Sequence, residues 1–325
     1  MYKVSVIIPV YNVEKYVGYS LQSVLNQTYK NIEYIIVDDC SPDGSMDIIQ
    51  EMLLKHPRQE DVLIVRHEKN RGLSAARNTG LGLAHGEFVF FMDSDDKLTT
   101  NCIELHVKAL LKSGADFTVA NMEICGSKSV HNCKLAFDVL KERDILKSFF
   151  ERKWSGSACN KLICKKIIED YSLQFEEGKL HEDILWSYQL ALNACCVVGV
   201  NENTYQYIIR GNSITTTLNS KKKIDSYLFT IRQIADSVLQ LEDERLINSA
   251  KSYLTFLRFI ASLLLTNCKE NWKEKEKIYR QLNGNGLDKL NNCSLFSLFL
   301  SMPYALFYVL LYLPYRFYKY SQKLF

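Results

Sequence analysis

The stretch EFVFFMDSDDKL, residues 87–98, decides how this chain is read. Its apolar run has the composition of a buried strand. It ends in three carboxylates within four positions, Asp93, Asp95 and Asp96. Like charges this close repel, and aspartate is a poor strand residue. Two readings are open here. Either the strand stops in a wet turn with an Asp capping the next helix, or a cation sits among the acids. On its own, the short D-x-D spacing favours the turn.

The same pattern recurs upstream. VSVIIPV (4–10) leads into Tyr11 and Asn12, IEYIIVDD (32–39) ends in Asp38 and Asp39, and DVLIVRHE (61–68) leads into the polar run 68–71. Continuous apolar runs of this length suit strands buried on both faces. Residues 14–26, 45–56, 73–84 and 99–112 have helical spacing, with Ser45 as the expected N-cap of the second helix. DFTVANMEI (116–124) predicts a fifth strand. Alternating strands and helices imply βαβ crossovers and a mostly parallel sheet, whose ligands bind beyond the carboxyl ends of its strands. Four polar strand ends on one edge therefore read as a site.

The rest is less regular. Residues 125–140 show no clear period, 141–152 and 181–194 predict helices, and 203–209 predicts a strand. From 221 to about 282 the pattern is helical with short breaks. Residues 290–315 carry no charge, and Arg316, Lys319 and Lys323 follow. The chain of 325 residues is 47% hydrophobic and 24% charged, with a formal net charge of +3, so no basic block points to nucleic acid. Ten cysteines include no C-x-x-C pair, so no zinc or disulfide framework is legible. No secretion signal precedes Val4, and the thiols are expected to be free in a reducing cytoplasm.

VSVIIPVYN, VDDCSPDGS and EKNRGLSAARNTGLGLAHGEFVFFMDSDD, in this order, resemble the nucleotide-sugar-binding half of glycosyltransferase family 2, inverting enzymes with a GT-A fold. The resemblance is strong over residues 3–120 and looser to about 217. It implies an α/β GT-A domain with a helical C-terminal extension. Pro9, Val10 and Tyr11 would line the nucleobase pocket, Asp39 would accept from the base N–H, and Arg77 would help place the nucleotide. Asp93 would face the ribose, and Asp95, with Asp93 and Asp96 beside it, would hold Mg²⁺ or Mn²⁺ against the diphosphate. In HED (181–183), Asp183 matches the family's catalytic base, and Glu182 would position the acceptor or be the base itself. Trp154, Asn160 and Lys161 would meet the acceptor, and Arg210, Ser213 and Thr215 would close over the phosphates. Plainer roles stay open: Tyr11 as packing, Asp38 as structure, Arg77 paired with a core carboxylate, and the HED acids at a helix dipole.

Processive family members carry Q-x-x-R-W, and this chain does not, which points to transfer of a single sugar. The expected donor is a UDP-sugar, and the expected acceptor is a glycan or polyprenyl-linked oligosaccharide of capsule, exopolysaccharide or O-antigen assembly. The aromatic tail is interrupted by Pro303 and Pro314 and suits a membrane interface first, a spanning helix second and packing on the catalytic domain third. The expected organisation is a catalytic domain over 1–217, divided near 120, a helical extension over 218–289 and a membrane-associating tail over 290–325. The expected location is the inner face of the cell membrane, from the cytoplasm. Rival classes are a sugar nucleotidyltransferase, which would want a Gly-rich loop where YNVEKY stands, and a non-catalytic nucleotide-sugar-binding protein.

Overall fold

The structure, a computed structural model, describes residues 1–126, 130–209, 221–284, 287–290 and 295–312. The first apolar run forms β1 (Val4–Val10), buried at every position. Next come α1 (Glu14–Leu25), β2 (Ile32–Asp38), α2 (Ser45–Leu53), β3 (Val62–Arg66), α3 (Leu73–Gly82) and β4 (Phe88–Phe91). β1 pairs in parallel with β2 and β4, and β2 with β3. Register aligns the strand ends: Val10 lies opposite Asp38, Asp38 opposite Arg66, and Ile7 opposite Phe91. The ladder runs one residue further, where the N–H groups of Asp39, His67 and Met92 donate to Val10, Asp38 and Ile7. Tyr11, Asp39, His67 and Asp93 thus fall on one edge.

Beyond β4 the sheet is mixed. The chain continues through β5 (Lys97–Leu98), α4 (Cys102–Ser113), β6 (Phe117–Cys125), β7 (Val130–Cys133), β8 (Val139–Lys141), α5 (Arg143–Phe150), β9 (Lys161–Cys164), α6 (Lys165–Asp170), α7 (Glu182–Asn193) and β10 (Cys196–Ile208). The sheet order is β3-β2-β1-β4-β9-β6-β10-β5, with β7 on β6 and β8 on β10. β9 lies antiparallel between β4 and β6, whereas β10 runs parallel to β6. The expected mostly parallel sheet therefore describes its first half, and β9, four residues long, was too short to show a period.

The helices are placed by their apolar faces. Val17, Leu21, Val24 and Leu25 of α1 pack into one cluster with Val4, Val6, Ile8 and Val10; fully burying such side chains stabilises by about 1.5–3 kcal/mol each. α3 approaches β1 closely at Gly80, where a Cβ would lie 2.4 Å from Ile7 Cγ2. Ser45 is not the cap of α2 but its first residue; its hydroxyl accepts the Val13 N–H and donates to Asp43.

The chain forms two compact units. One comprises Met1–Phe149, Lys153–Gly178 and Glu182–Ser213, and the other Phe150–Arg152, Lys179–His181 and Ile214–Phe325. The second contains α8 (Lys221–Val238), α9 (Glu244–Thr266), α10 (Trp272–Asn283), α11 (Leu295–Leu300) and α12 (Tyr304–Phe307), continued by a wider helical turn over Tyr308–Tyr312. Arg258 of α9 is fully buried and donates to the carbonyls of Leu282 and Leu287 and to Asn283 Oδ1, so it closes the C-terminal end of α10. Phe296, Phe299 and Phe307 surround Phe259, and Tyr304 lies against Trp272 and Tyr279. This part of the tail packs on its own helical unit, with Leu306, Val309 and Leu310 facing outward. Among the described residues, no helix is long and apolar enough to cross a membrane.

Candidate active site

β1 delivers Tyr11 to the edge, 45% exposed, while Pro9 and Val10 are buried within the strand. Those two place Tyr11 rather than present side chains of their own. Beyond β2, Asp38 accepts the Ser41 N–H at 2.7 Å and pairs with Arg66 at 3.2 Å, which is the structural role left open for it. Asp39 is buried but richly satisfied. Its Oδ1 meets His67 Nδ1 at 2.7 Å and the Arg71 N–H at 2.8 Å, and its Oδ2 accepts the Gly72 N–H at 2.7 Å. Gly72 has φ 91°, a conformation that favours glycine, and this lets the chain turn down onto Asp39 before α3 starts.

Arg77 of α3 is 2% exposed and holds two acids. Its guanidinium donates to Asp93 Oδ1 at 2.8 Å and to Glu182 Oε1 at 2.6 Å, above the ring of Phe175. Burial pushes its pKa down, but Asp93 and Glu182 outweigh burial and hold it above the ordinary value. Arg77 therefore joins the strand-end acids to the first turn of α7, the carboxylate pairing left open above, instead of reaching for the nucleotide.

The three acids after β4 divide. Asp93 keeps 28% of its side chain exposed, Asp95 is half-buried, and Asp96 is 1% exposed. Asp96 turns inward, where Tyr205 Oη and the Ile208 N–H donate to its two oxygens at 2.7 and 2.8 Å. Burial, with the charges of Asp93 and Asp95, pushes its pKa up to about 8. This corrects its expected place among the metal ligands: both oxygens anchor β10. The turn itself is fixed from α1, with Tyr19 donating to the Asp95 carbonyl and Ser20 to that of Asp93.

A divalent cation fits the two acids that remain. They are hard oxygen donors, and the crowding that raises Asp96 is relieved by positive charge. Among the described residues, no group of three or more His, Cys, Asp or Glu side chains is arranged to hold a metal, so Asp93 and Asp95 would supply only part of a coordination shell.

Asp183 follows Glu182 at the start of α7. Burial, then the charges of Glu182 and Asp93, push its pKa up to about 7 against the opposing pull of Arg77 and Lys161. A carboxyl near this value is suited to exchanging a proton close to neutral pH.

The three expected acceptor residues are not on a surface. Trp154 is buried against Phe117 and Phe149, with its indole N–H on Ser148. Asn160, at φ 62°, donates to the Ala120 carbonyl and accepts from Thr204. Lys161 is fully buried beside the Trp154 ring, and its ammonium donates to the carbonyls of Ser155 and Ser157. Burial lowers its pKa to about 8. All three hold the approach to β9 together and offer nothing to an acceptor. Arg210, Ser213 and Thr215 lie outside the described residues.

Two residues at this edge escaped the sequence reading. His67 braces Asp39, and its place just after the third apolar run was the available signal. Tyr205 holds Asp96 and receives the Asp93 N–H at 3.4 Å. Nothing in NTYQYII marked it.

An α/β sheet whose polar edge carries Asp39, Asp93 and Asp95, with the buried Glu182 and the half-buried Asp183 at the start of α7, has the architecture of a GT-A fold. The fold agrees with that of TarS from S. aureus, matched at a TM-score of 0.71 with 22% identity over 89% of this chain and 84% of that one, in a structure with UDP-GlcNAc. Residues 5–172, just over half of the chain, match the family model described as Glycosyl transferase family 2, and the chain belongs to that family. Glycosyltransferase GlyA of Streptococcus pneumoniae is 34% identical over 67% of this chain and 32% of its own length. UDP-Glc:alpha-D-GlcNAc-diphosphoundecaprenol beta-1,3-glucosyltransferase WfgD of Escherichia coli is 36% identical over 40% of this chain and 49% of its own length. The chain thus spans about a third of GlyA and about half of WfgD.

Proposed function

We infer that this chain is an inverting glycosyltransferase that moves one sugar from a UDP-sugar to a glycan carried on a polyprenyl diphosphate. The observation that carries the reading is the convergence on Arg77 of Asp93, from the β4 end, and Glu182, from the first turn of α7, with Asp183 beside it and raised to about 7. UDP in the TarS complex, and the lipid-linked acceptor in the name of WfgD, support the two substrates.

Each side chain then has a task. Tyr11 lies against the base, and Asp39 accepts its N–H. Asp93 and Asp95 would hold Mg²⁺ or Mn²⁺, and such an ion would supply positive charge to the departing phosphate without a proton donor. Arg77 keeps Asp93 and α7 in fixed relation. Asp183 takes the proton from the acceptor hydroxyl as the oxygen attacks the anomeric carbon. The new C–O bond forms on the face opposite the breaking one, whose electron pair leaves on the diphosphate. Glu182, committed to Arg77, positions Asp183 and is not the base. The outward Leu306, Val309 and Leu310 support contact of the tail with a membrane surface, where such an acceptor resides.

The test is a screen of nucleotide sugars for metal-dependent hydrolysis and transfer. Turnover of a UDP-sugar that requires Mn²⁺ and is lost in Asp95→Ala supports the assignment. Metal-independent binding of UDP, equal in parent and Asp95→Ala, refutes the metal site. Sugar-1-phosphate turning over with UTP would favour the nucleotidyltransferase class instead.

A further inference from the structure

We propose that His67 is a positioning residue for Asp39, and that it thereby makes the site prefer a base presenting an N–H on its pairing edge. This rests on the reading of Asp39 as the residue that meets the base. His67 is 7% exposed and sits one residue past β3. Its ring bridges two elements, with Nδ1 2.7 Å from Asp39 Oδ1 and Nε2 2.9 Å from Thr79 Oγ1 on α3. An ionised carboxylate only accepts, so Nδ1 carries the proton, and in the neutral ring Nε2 accepts the Thr79 hydroxyl.

The arithmetic of lone pairs gives this brace a consequence. A carboxylate offers about four acceptor directions. On Asp39 two at Oδ1 are taken by His67 and the Arg71 N–H, and one at Oδ2 by the Gly72 N–H. The remaining direction belongs to Oδ2. The two backbone donors, one on each oxygen, hold the carboxylate to the Arg71–Gly72 turn, but both come from that one turn and tie it to no other element. The His67 ring, itself held by Thr79, fixes the carboxylate plane and with it the open lone pair. A lone pair fixed in direction accepts an imide N–H, as in uracil, and repels the bare ring nitrogen that cytosine places there. A carboxylate without the His67 tie loses that contrast, although the pocket is still filled.

Calorimetric titration of UDP and of CDP, each with Mn²⁺, into the full chain reads this directly. The parent is expected to bind UDP about 10–100 times more tightly than CDP, the range for one hydrogen bond to a charged group. His67→Phe fills the space without a donor and should bring the ratio below about three, mostly by weakening UDP. His67→Asn offers Asp39 an N–H from nearly the same place and should hold the ratio near about tenfold. If His67→Phe weakens both nucleotides equally and leaves the ratio intact, the histidine is merely structural and the proposal falls. Asp39→Asn separates the two levels. A ratio that survives in Asp39→Asn, or is absent in the parent, overturns Asp39 as base reader and His67 with it. A ratio lost in Asp39→Asn but kept in His67→Phe overturns His67 alone. If His67→Phe does not fold, Thr79→Val decides: a drop of at least about threefold supports the brace, and an unchanged ratio refutes it.

Discussion

The edge at Asp93 to Asp96 and the loop from Trp154 to Lys161 both carry charge out of water, and they settle it in opposite ways. In the loop, one ammonium is enclosed by two backbone carbonyls and an aromatic face. The group is complete without a ligand. At the edge, carboxylates from the β4 end and from α7 gather around the buried guanidinium of Arg77, and burial, with the neighbouring acids adding to it, raises the pKa of both Asp96 and Asp183. There, negative charge exceeds what that cation balances, an excess that the proposed metal would offset. Burial alone does not mark a working charge; an imbalance among buried charges does.

The largest expected effect is at Asp183. Asp183→Asn should lower kcat by about 10²–10⁴-fold, the usual worth of a general base, while leaving UDP affinity nearly unchanged. The parent should lose rate as pH falls through about 7, because the base works only without its proton. If the variant turns over normally, the imbalance at this edge is not catalytic. Next is Arg77→Met, which strips the edge of its counter-charge. It should cost about 3–5 kcal/mol in urea unfolding, as removing one partner of a buried ion pair does. Arg77→Lys should not rescue it, since one ammonium lacks the fork that reaches two acids.

The loop should behave differently. Lys161→Met should cost about 1–3 kcal/mol, from two carbonyls left without a donor. Its effect on turnover should be confined to an upward shift of the pH profile, because Lys161 helps hold the Asp183 pKa down. Its pH signature has a definite sign. The folded group titrates near 8 against an ordinary 10.5, so between those values the unfolded chain holds a proton that the folded one has released. Stability contributed at Lys161 therefore rises with pH across that window, and Lys161→Met should lack the rise. Equal pH responses in the two proteins would show that the ammonium is not enclosed as described. The smallest effect is expected in the helical unit, whose outer Leu306 and Leu310 are the apolar counterpart of an unfinished surface. Replacing both by serine should weaken co-sedimentation with anionic vesicles severalfold without changing the melting temperature, and unchanged binding would point to another anchor.

Much of the edge was legible because the parallel half of the sheet writes its ends into the chain. An apolar run buried on both faces must stop abruptly, so Asp39 and Asp93 announced themselves. Asp96 did not separate from Asp95, because which acid turns inward depends on Tyr205, on a strand more than a hundred residues later. Lys161 misled for a related reason. Lysine is seldom fully buried, and only the folded path of 155–157 supplies carbonyls to receive it. Arg77 kept two readings because its partners lie 16 and 105 residues away. The helices of the second unit were plain from periodicity, but the carbonyl-capping role of Arg258 was not.

That span of 105 residues between Arg77 and Glu182 bears on how the enzyme comes into being. A nascent chain that has emerged only as far as β6 already contains β1–β4 and α3, so the edge with Tyr11, Asp39 and Asp93 can assemble early. Its guanidinium then holds Asp93 alone, and the proton acceptor has not yet been synthesised. Closing so long a loop is slow compared with local pairing. With the roles proposed above, nucleotide capture can precede catalytic competence during synthesis, and the docking of α7 is the event that would switch the second on.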